Sequence, residues 1–276
     1  MRLNVVEFFL MSSSQSHESH CKKKGSAVFG KMKEIYRESQ AMAAINAEFE
    51  AVCPDAAERK KIIDAFTEIS KKVECPHNMS HVLTFVIEMM KYAKKHPDSD
   101  GVFVEAGCFK GGSTAKFSLV VQSLMKKLVV FDSFEGIPDN QEGHDKSIFG
   151  YSIKDWFKKG SFCGGLEEVQ HNVAAYGDIS VCSFVKGWFE ETLPNVEYDI
   201  AGAYIDVDLA SSTKTCIQYI YPRLSPGGFL VSQDGDFPLV IDVFTDDQFW
   251  EEEIGCKRPV IHGLNKSKML VVYKED

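Results

Sequence analysis

From residue 101 onward, short apolar runs alternate with longer amphipathic segments. An apolar run of a few residues is typical of a buried strand, and apolar positions three and four residues apart are typical of a helix. The pattern predicts strands over residues 102–106, 128–131, 179–185, 200–205 and 229–232. It predicts helices over residues 112–125, 166–176, 213–224 and 239–253. Repeated alternation of this kind favours a parallel, doubly wound sheet.

Two features interrupt the alternation. Residues 260–264 and 269–273 flank a short polar turn and predict an antiparallel hairpin at one edge of the sheet. Residues 139–165 are polar, aromatic and glycine-containing, with no clean period. An irregular insertion of that length in an alternating domain is often a functional lid.

The residues before the sheet divide into a polar tail and a helical part. Residues 1–27 include a low-complexity polar stretch and are predicted to be a flexible tail. Residues 28–98 are predicted to be a helical extension or cap, and residues 99–276 the sheet domain. Helices of the extension are expected over residues 41–52, 56–72 and 76–96. The predicted fold class is α/β: a doubly wound, Rossmann-like, mostly parallel sheet with an antiparallel C-terminal hairpin and a helical N-terminal extension.

Charge and composition narrow the kinds of partner. The chain has 276 residues and a net charge of −9, whereas broad binding to a phosphate backbone needs a basic surface. No apolar run approaches the roughly 18 residues of a membrane-spanning helix, and residues 1–11 lack the features of a signal peptide. The eight cysteines are scattered without a C-x-x-C pair, as in a reduced, cytoplasmic protein. We therefore expect neither a nucleic acid nor a membrane partner, and a homo-oligomer stays open.

The most informative segment is VFVEAGCFKGGST, residues 102–114, which predicts a strand, a tight turn and the start of a helix. Its glycine spacing differs from the G-x-G-x-x-G of dinucleotide-binding proteins. Glu105 before the turn would repel a pyrophosphate, but it suits the cationic groups of S-adenosylmethionine. A second acid, Asp132, ends the next strand, where it suits an adenosyl group. The alternative is a turn whose glycines only pack.

Acids also follow the fourth and fifth strands. Asp206 and Asp208 follow one strand, and Gln233 and Asp234 follow the other. If these strands are neighbours, Asp206 and Asp234 face each other and form a hard oxygen site suited to Mg²⁺. A metal there would bind substrate oxygens and lower the pKa of a hydroxyl group. The alternative is that these acids cap the following helix and a turn.

The histidines of the N-terminal part carry no clear chemistry. His77 and His81 lie four residues apart, but no third metal ligand accompanies them, and surface positions in the cap are expected. His17, His20 and Cys21 lie in the polar tail, where solvated side chains are expected.

Five motifs occur in an order and spacing that resemble one family. They are VEAGCFKGG (104–112), FDSFEGIP (131–138), VKGWF (185–189), IDVDL (205–209) and YPRLSPGG (221–228). Together they look like the macrocin O-methyltransferase family of S-adenosylmethionine-dependent enzymes, over about residues 80–275. The resemblance implies metal-dependent methylation of a hydroxyl group on a small molecule, possible acceptors being a sugar or a natural product.

The resemblance, with the glycine segment, also implies particular site residues. The expected cofactor-binding residues are Glu105, Gly107, Gly111, Ser113, Thr114, Asp132, Ser133, Phe134, Gly187, Trp188 and Asp206. The expected Mg²⁺ ligands are Asp206, Gln233 and Asp234, and the expected catalytic residues are Asp206 and His144 in the lid.

The chain departs from the family where the fifth strand ends. The family usually has two adjacent acids followed by an aromatic residue, whereas this chain has Gln233, Asp234 and Gly235. An amide oxygen still offers a neutral ligand. A metal-independent small-molecule methyltransferase and a non-catalytic, cofactor-binding scaffold therefore remain as alternatives.

Overall fold

The computed structural model describes residues 42–143 and 145–275. The chain divides into two compact units, Met1–Ala44 and Ile45–Asp276, and the account below concerns the second. The predicted tail over residues 1–27, with His17, His20 and Cys21, lies outside the described residues. His144 lies outside them as well.

One seven-stranded sheet forms the centre of the larger unit. Its strands are β1 (Val102–Ala106), β2 (Leu128–Asp132), β3 (Cys182–Lys186), β4 (Ile200–Ile205), β5 (Leu224–Ser232), β6 (Ile261–His262) and β7 (Leu270–Tyr273). The order across the sheet is β3-β2-β1-β4-β5-β7-β6. The first five strands are parallel, whereas β7 pairs antiparallel with β5 and with β6. The predicted Rossmann-like sheet and its antiparallel hairpin are confirmed.

Helices connect the strands and precede the first of them. Residues 42–52 are helical and form α1. The others are α2 (Ala56–Lys72), α3 (Met79–Lys95), α4 (Gly112–Ser123), α5 (Leu166–Tyr176), α6 (Phe189–Thr192), α7 (Ala210–Ile220) and α8 (Pro238–Thr245). Crossover connections through helices let successive strands run in the same direction, so their carboxyl ends share one edge of the sheet.

Aromatic packing attaches α3 to the sheet. The ring of Phe85 lies 4.8 Å from that of Phe117 on α4 and 5.6 Å from that of Phe229 on β5, between ring centres. It also lies 5.4 Å from Tyr204 on β4, and all four side chains are buried. Contacts of this kind stabilise a core beyond the area that they bury. The segment before the sheet thus shares the core of the sheet, and the predicted domain boundary near residue 98 stays a prediction.

The structure corrects several predicted elements. The single helix expected over residues 239–253 is α8 followed, after a break, by a π-helical turn at Phe249–Ile254. The helix expected to begin at residue 213 begins at Ala210, and strand β5 begins at Leu224 rather than at residue 229. The start of the third predicted strand is a 3-10 turn, Ile179–Val181. The last three errors lie at element boundaries, where periodicity is weakest, whereas the break at Asp246 divides a helix that the pattern predicts as continuous.

Within residues 42–143 and 145–275, no helix has the length and apolar character needed to span a membrane.

The close packing of β4 against β5 gives a test of this core. A Cβ atom added at Gly202 would lie 2.4 Å from ring atoms of Phe229, so Gly202→Ala must displace a buried aromatic ring. We expect the free energy of unfolding to fall by about 1–3 kcal/mol, as overpacked cores do. Urea unfolding measures it. Gly143→Ala is the control, because a Cβ there meets no atom within 4 Å; equal stability of both variants would contradict the packing.

Candidate active site

The carboxyl ends of the parallel strands open into one cleft, where doubly wound sheets bind their ligands. Strand-end residues of its wall are Gly107, Phe109, Asp132, Ser133, Gly187, Trp188, Asp206, Asp208 and Gln233. Other segments contribute Pro76, His77, Trp156, Phe162, Phe237 and Lys268.

Strained backbone surrounds this cleft. Phe109, Phe134 and Asp208 follow β1, β2 and β4, and their φ angles are 48°, 57° and 62°. Residues with side chains rarely adopt this conformation, and such strain tends to collect at ligand sites. At Gly107 the φ angle is 83°, and an added Cβ would lie 1.9 Å from the carbonyl oxygen of Asp206. Only glycine therefore lets the loop after β1 approach the end of β4 so closely.

Asp132 joins the loops after the first two strands. Its carboxylate accepts hydrogen bonds from the backbone N–H of Cys108 at 2.8 Å and of Phe134 at 2.7 Å. Burial raises the pKa of this carboxyl, although these N–H groups oppose the shift. The residue predicted to bind the cofactor thus also holds two walls of the cleft together.

Glu105 lies beneath the cleft rather than on its wall. Its side chain is fully buried, and one carboxylate oxygen accepts a hydrogen bond from the hydroxyl of Thr114 at 2.6 Å. Burial raises the pKa of Glu105 to about 8, against the hydrogen bonding of Ser113 and Thr114. The other oxygen, Oε1, has no hydrogen-bond partner among the described residues. A buried acceptor of this kind is unfavourable until a donor reaches it.

Three acids collect where β4 and β5 end. Ile205 pairs with Ser232 across these strands, so Asp206 and Gln233 follow at neighbouring positions. One oxygen each of Asp206, Asp208 and Asp234 lies within 4.8 Å of the others. Burial and the charge of Asp206 raise the pKa of Asp208 to about 7, and the pKa of Asp234 rises well above its usual value.

Asp234 and the amide of Gln233 organise this cluster. Oδ2 of Asp234 accepts hydrogen bonds from the backbone N–H of Val207 and of Asp208, both at 3.0 Å. One terminal atom of the Gln233 carboxamide lies 3.1 Å from Asp206 Oδ1 and 3.2 Å from Asp234 Oδ1. With these residues alone, the hydrogen-bonding pattern is satisfied when that atom is the nitrogen. A cation held among the three side chains would instead favour the amide oxygen in this place.

The alternative that Asp206 or Asp208 caps the following helix is wrong. The N-cap of α7 is Leu209, and no side chain of its own loop caps it. The carboxylate of Glu142 in the lid accepts from the N–H of Ala210 at 2.6 Å and of Ser211 at 2.9 Å. A negative side chain at a helix N-terminus is stabilised by the helix dipole. The first turn of α7 therefore holds the lid through Glu142. Asp206 and Asp208 do not cap the helix, and both line the cleft.

The expected surface position of His77 is also wrong. The side chain of His77 is 6% exposed, and its Nε2 lies 2.6 Å from Asp206 Oδ2. Burial alone would lower the pKa of His77, but Asp206 raises it to about 10. In turn, the charge of His77 holds the pKa of Asp206 below its usual value, against burial. The two side chains form an ion pair at the base of the cleft.

His81 is not a surface residue either. It is partly buried, and burial lowers the pKa of its imidazole to about 3, which keeps the ring neutral. Its Nδ1 has no hydrogen-bond partner in the described part of the chain. Of the two histidines four residues apart, His77 is thus charged and His81 is neutral.

The predicted cofactor residues fall into two groups. Those on the wall are Gly107, Asp132, Ser133, Gly187, Trp188 and Asp206. Those buried behind it are Glu105, Gly111, Ser113, Thr114 and Phe134. Of the predicted metal ligands, Asp206 and Gln233 reach the wall and Asp234 is buried beneath them. Their roles stay predictions.

Sequence reasoning missed two cations and the lid contact. His77 lies inside the predicted helix of the cap but precedes the observed α3, and Lys268 lies in the turn of the hairpin, so neither belongs to a strand end. The charge of Lys268 lowers the pKa of Asp206 and of Asp208, and the residue lines the cleft. The only sequence signal for these two residues is that clustered acids need cations nearby. That requirement does not single out His77 and Lys268 among the many lysines and histidines of the chain.

The chain is similar in sequence to known proteins. A family model described as macrocin-O-methyltransferase matches residues 41–262. The 8-demethyl-8-(2,3-dimethoxy-alpha-L-rhamnosyl)-tetracenomycin-C 4'-O-methyltransferase of Streptomyces olivaceus is 31% identical over 156 residues, 54% of this chain and 59% of that protein. Mycinamicin III 3''-O-methyltransferase of Micromonospora griseorubida is 29% identical over 143 residues, 50% of this chain and 56% of that protein. The chain thus spans less than two thirds of these relatives.

Two solved structures share the fold. The O-methyltransferase NovP matches with a TM-score of 0.56 and 21% identity, over 70% of this chain and 81% of NovP. CalS11, a calicheamicin methyltransferase, matches with a TM-score of 0.54 and 20% identity, over 80% of this chain and 95% of CalS11. Since the family model spans residues 41–262 of the 276, the chain belongs to the macrocin O-methyltransferase family.

Proposed function

We propose that the protein transfers the methyl group of S-adenosylmethionine to a hydroxyl group of a small molecule, such as the sugar of a natural product. The observation that carries the proposal is the meeting of Asp132, Asp206 and the Gly107 turn on one cleft wall, in a chain of this family. The names of the relatives agree with it, since one names a rhamnosyl tetracenomycin and another a mycinamicin as substrate.

The acidic base of the cleft suits a cationic cofactor. S-adenosylmethionine carries a sulfonium and an ammonium group, whereas Asp132 and Asp206 present carboxylates to the cleft. The unpaired oxygen of buried Glu105 gives a further acceptor behind the glycine turn. Charge-assisted hydrogen bonds of this kind are stronger than neutral ones.

The aromatic side of the cleft suits an organic acceptor. Trp156 and Phe162 come from the lid, and although they line the cleft they are 43% and 40% exposed. Trp188 and Phe237 line the cleft as well. Exposed aromatic rings on a cleft wall bind the apolar faces of ligands, while a few polar groups orient them. We propose that these rings hold the acceptor above the acids.

The proposed reaction is a direct displacement. The acceptor oxygen attacks the methyl carbon, the new C–O bond forms as the C–S bond breaks, and the sulfur leaves with the bonding electron pair. The hydroxyl proton passes to a carboxylate, for which we propose Asp206, held from behind by His77. Alignment of the two reactants and exclusion of water by the lid supply much of the acceleration.

The residues fit the Mg²⁺ that the family implies. The oxygens of Asp206, Asp208 and Asp234 converge, and burial together with mutual repulsion raises the pKa values of the last two. Hard cations prefer such oxygen ligands. Asp206, Asp234 and the amide oxygen of Gln233 would hold the ion, which would lower the pKa of the acceptor hydroxyl. The metal-independent alternative is that the Gln233 amide nitrogen and His77 supply this neutralisation instead.

The proposal is tested first with labelled cofactor. The full chain is incubated with S-adenosylmethionine carrying a labelled methyl group and with glycosides that have free sugar hydroxyls. Label in the acceptor and release of S-adenosylhomocysteine support it. Binding of the cofactor without transfer to any acceptor would favour the scaffold alternative, and absence of cofactor binding in calorimetry would overturn the proposal.

The first prediction concerns the cofactor. Asp132→Ala removes a carboxylate from the cleft wall and two acceptors from the loops, so we expect affinity to fall by about 1.5–3 kcal/mol. The free energy of unfolding should also fall, by about 1–3 kcal/mol, because the N–H groups of Cys108 and Phe134 lose their partner. Calorimetry and thermal unfolding measure these changes against Asp139→Ala, an exposed control. Unchanged affinity in both Asp132→Ala and Glu105→Ala would contradict the cofactor site.

A second prediction concerns the metal. EDTA should abolish turnover and Mg²⁺ should restore it, while Asp206→Asn lowers kcat by about a hundredfold or more. Gln233→Asp should tighten the binding of Mn²⁺, titrated by electron paramagnetic resonance, because it adds a charged ligand. Asp242→Asn on the exposed face of α8 is the control. Full activity in EDTA would establish the metal-independent alternative.

A third prediction concerns the lid. Glu142→Gln removes the charge that binds the first turn of α7, so residues 139–165 should exchange amide hydrogens faster in the free protein. Cofactor and acceptor together should slow this exchange in the natural chain. Glu135→Gln, at an exposed position just outside the lid, should change neither. Slow exchange that ignores both Glu142→Gln and the ligands would mean that the lid is a fixed part of the fold.

A further inference from the structure

The thiol of Cys75 lies in a cluster of positive groups that includes His77, a residue of the cleft wall. Its Sγ lies 3.4 Å from the Nζ of Lys116 and 3.6 Å from the Nδ1 of His77. Lys116 projects from α4, whereas His77 follows Cys75 in the loop before α3. Two cationic side chains from different elements therefore converge on one sulfur atom.

Lys116 is the informative member of this cluster. Its side chain is 1% exposed, and in the part of the chain that the structure describes no carboxylate forms a salt bridge with it. The hydrogen bond that its ammonium donates goes to Cys75 Sγ. Burial of an unpaired charge is very unfavourable, so buried ammonium groups are paired with an anion. The sulfur is the atom in place to be that anion.

The start of α4 adds a third favourable group. An added Cβ at Gly112, the first residue of α4, would lie 2.7 Å from Cys75 Cβ and 3.2 Å from its Sγ. The thiol thus packs directly against a helix N-terminus, where the dipole stabilises negative charge. Glycine at position 112 leaves room for the Cys75 side chain, which is partly exposed.

The other groups around the sulfur leave the balance positive. His77 lies between Cys75 and Asp206, with its Nδ1 3.6 Å from the sulfur and its Nε2 2.6 Å from Asp206 Oδ2. The ring of Tyr204 on β4 lies 6.1 Å from that of His77, between ring centres. Burial raises the pKa of its hydroxyl well above the usual value, and the charges of Asp206, Glu105, Asp234 and Cys75 add to the shift. Burial alone would raise the pKa of Cys75, but His77 and Lys116 outweigh it and lower the pKa to about 7.

We propose that Cys75 is held as a thiolate by Lys116, His77 and the start of α4, and that it is a modification site for small electrophiles, hydroperoxides in particular. The thiolate sulfur attacks one oxygen of the hydroperoxide, an S–O bond forms and the O–O bond breaks. The sulfur loses two electrons and becomes a sulfenic acid, and the peroxide is reduced to an alcohol after protonation from water. Thiols reduce the sulfenic acid back through a mixed disulfide.

Modification at this position acts on the cofactor side of the cleft. A neutral sulfenic acid leaves Lys116 buried without its anion, and an oxygen added on the side of Gly112 meets the first turn of α4. The first turn of α4 must then move, and this turn carries Thr114, which donates to Glu105. The sequence Gly107–Gly112 is the turn assigned above to the cofactor. This part of the inference rests on the proposed function, whereas the state of the thiol does not.

The first experiment measures the thiol itself. Alkylation of Cys75 by iodoacetamide is followed by peptide mass spectrometry between pH 5 and pH 10. A Cys163→Ser background removes the exposed thiol of the lid, and a parallel series in the natural chain uses Cys163 to show that reagent was not limiting. We expect a midpoint near pH 7 for Cys75 and a rise toward about 8.5 in Lys116→Met. His77→Gln should raise it as well.

Two results would overturn the thiolate. One is a midpoint near 8.5 in the unsubstituted chain, and the other is a midpoint that neither Lys116→Met nor His77→Gln changes. Two variants are used so that misfolding of one leaves the other informative.

The second experiment measures the coupling. Brief peroxide treatment should form a sulfenic acid at Cys75, detected with dimedone, and should lower affinity for S-adenosylmethionine about tenfold or more. Cys75→Ser in the same background should lose the response to peroxide, and a thiol reductant should restore the oxidised protein. Sulfenic acid with unchanged affinity would overturn the coupling. Failure of the untreated protein to bind the cofactor would instead refute the proposed function and leave the alkylation result standing.

Discussion

Buried negative charge at the ends of the parallel strands is the constraint on which the rest of this site depends. Glu105, Asp132, Asp206, Asp208 and Asp234 meet within one region, where Glu105 and Asp234 are buried and the other three are half-buried. Carboxylates in that situation must gain protons or find donors, because burial disfavours their charged forms. Several segments that reach the cleft bring such a donor.

The donors differ, and each ties a different part of the chain to the sheet. Backbone N–H groups donate hydrogen bonds to Asp132 and Asp234, and these bonds fix the loops after β1, β2 and β4. A hydroxyl at the start of α4 serves Glu105. Asp206 forms an ion pair with the imidazolium of His77, which lies in the segment before α3. The N-terminal helices are therefore connected to the cleft as well as to the core. The architecture of the cleft thus follows from satisfying its acids.

This explains which parts of the site the sequence reveals. Glu105, Asp132, Asp206 and Asp234 follow apolar runs, and parallel strands bring their carboxyl ends to one edge, so their meeting is predictable. The parallel sheet follows from the same alternation of strands and helices, and the C-terminal hairpin follows from two apolar runs around a short polar turn.

The donors are not predictable in this way. His77 reaches Asp206 across most of the strand-forming sequence, and no periodicity links the two positions. Its spacing to His81 points to a shared helix face, but His77 lies before Met79, where the helix begins. Glu142 caps a helix 68 residues later, from a segment without regular structure. Such contacts depend on how loops close over the sheet, and loop paths leave little trace in local sequence.

The same constraint bears on the proposed reaction. When a methyl group leaves a sulfonium for a neutral hydroxyl, the sulfur loses its positive charge and the oxygen must lose a proton. The positive charge therefore remains in the cleft, now as a proton, until a carboxylate or water removes it. We propose that the acidic cluster at the ends of β4 and β5 accepts that proton, since the sum of charges in the cleft is then the same before and after transfer. The acidic cluster thus suits both stages of the proposed reaction. It stabilises the positive charge of the cofactor before transfer, and it takes up the positive charge of the released proton afterwards.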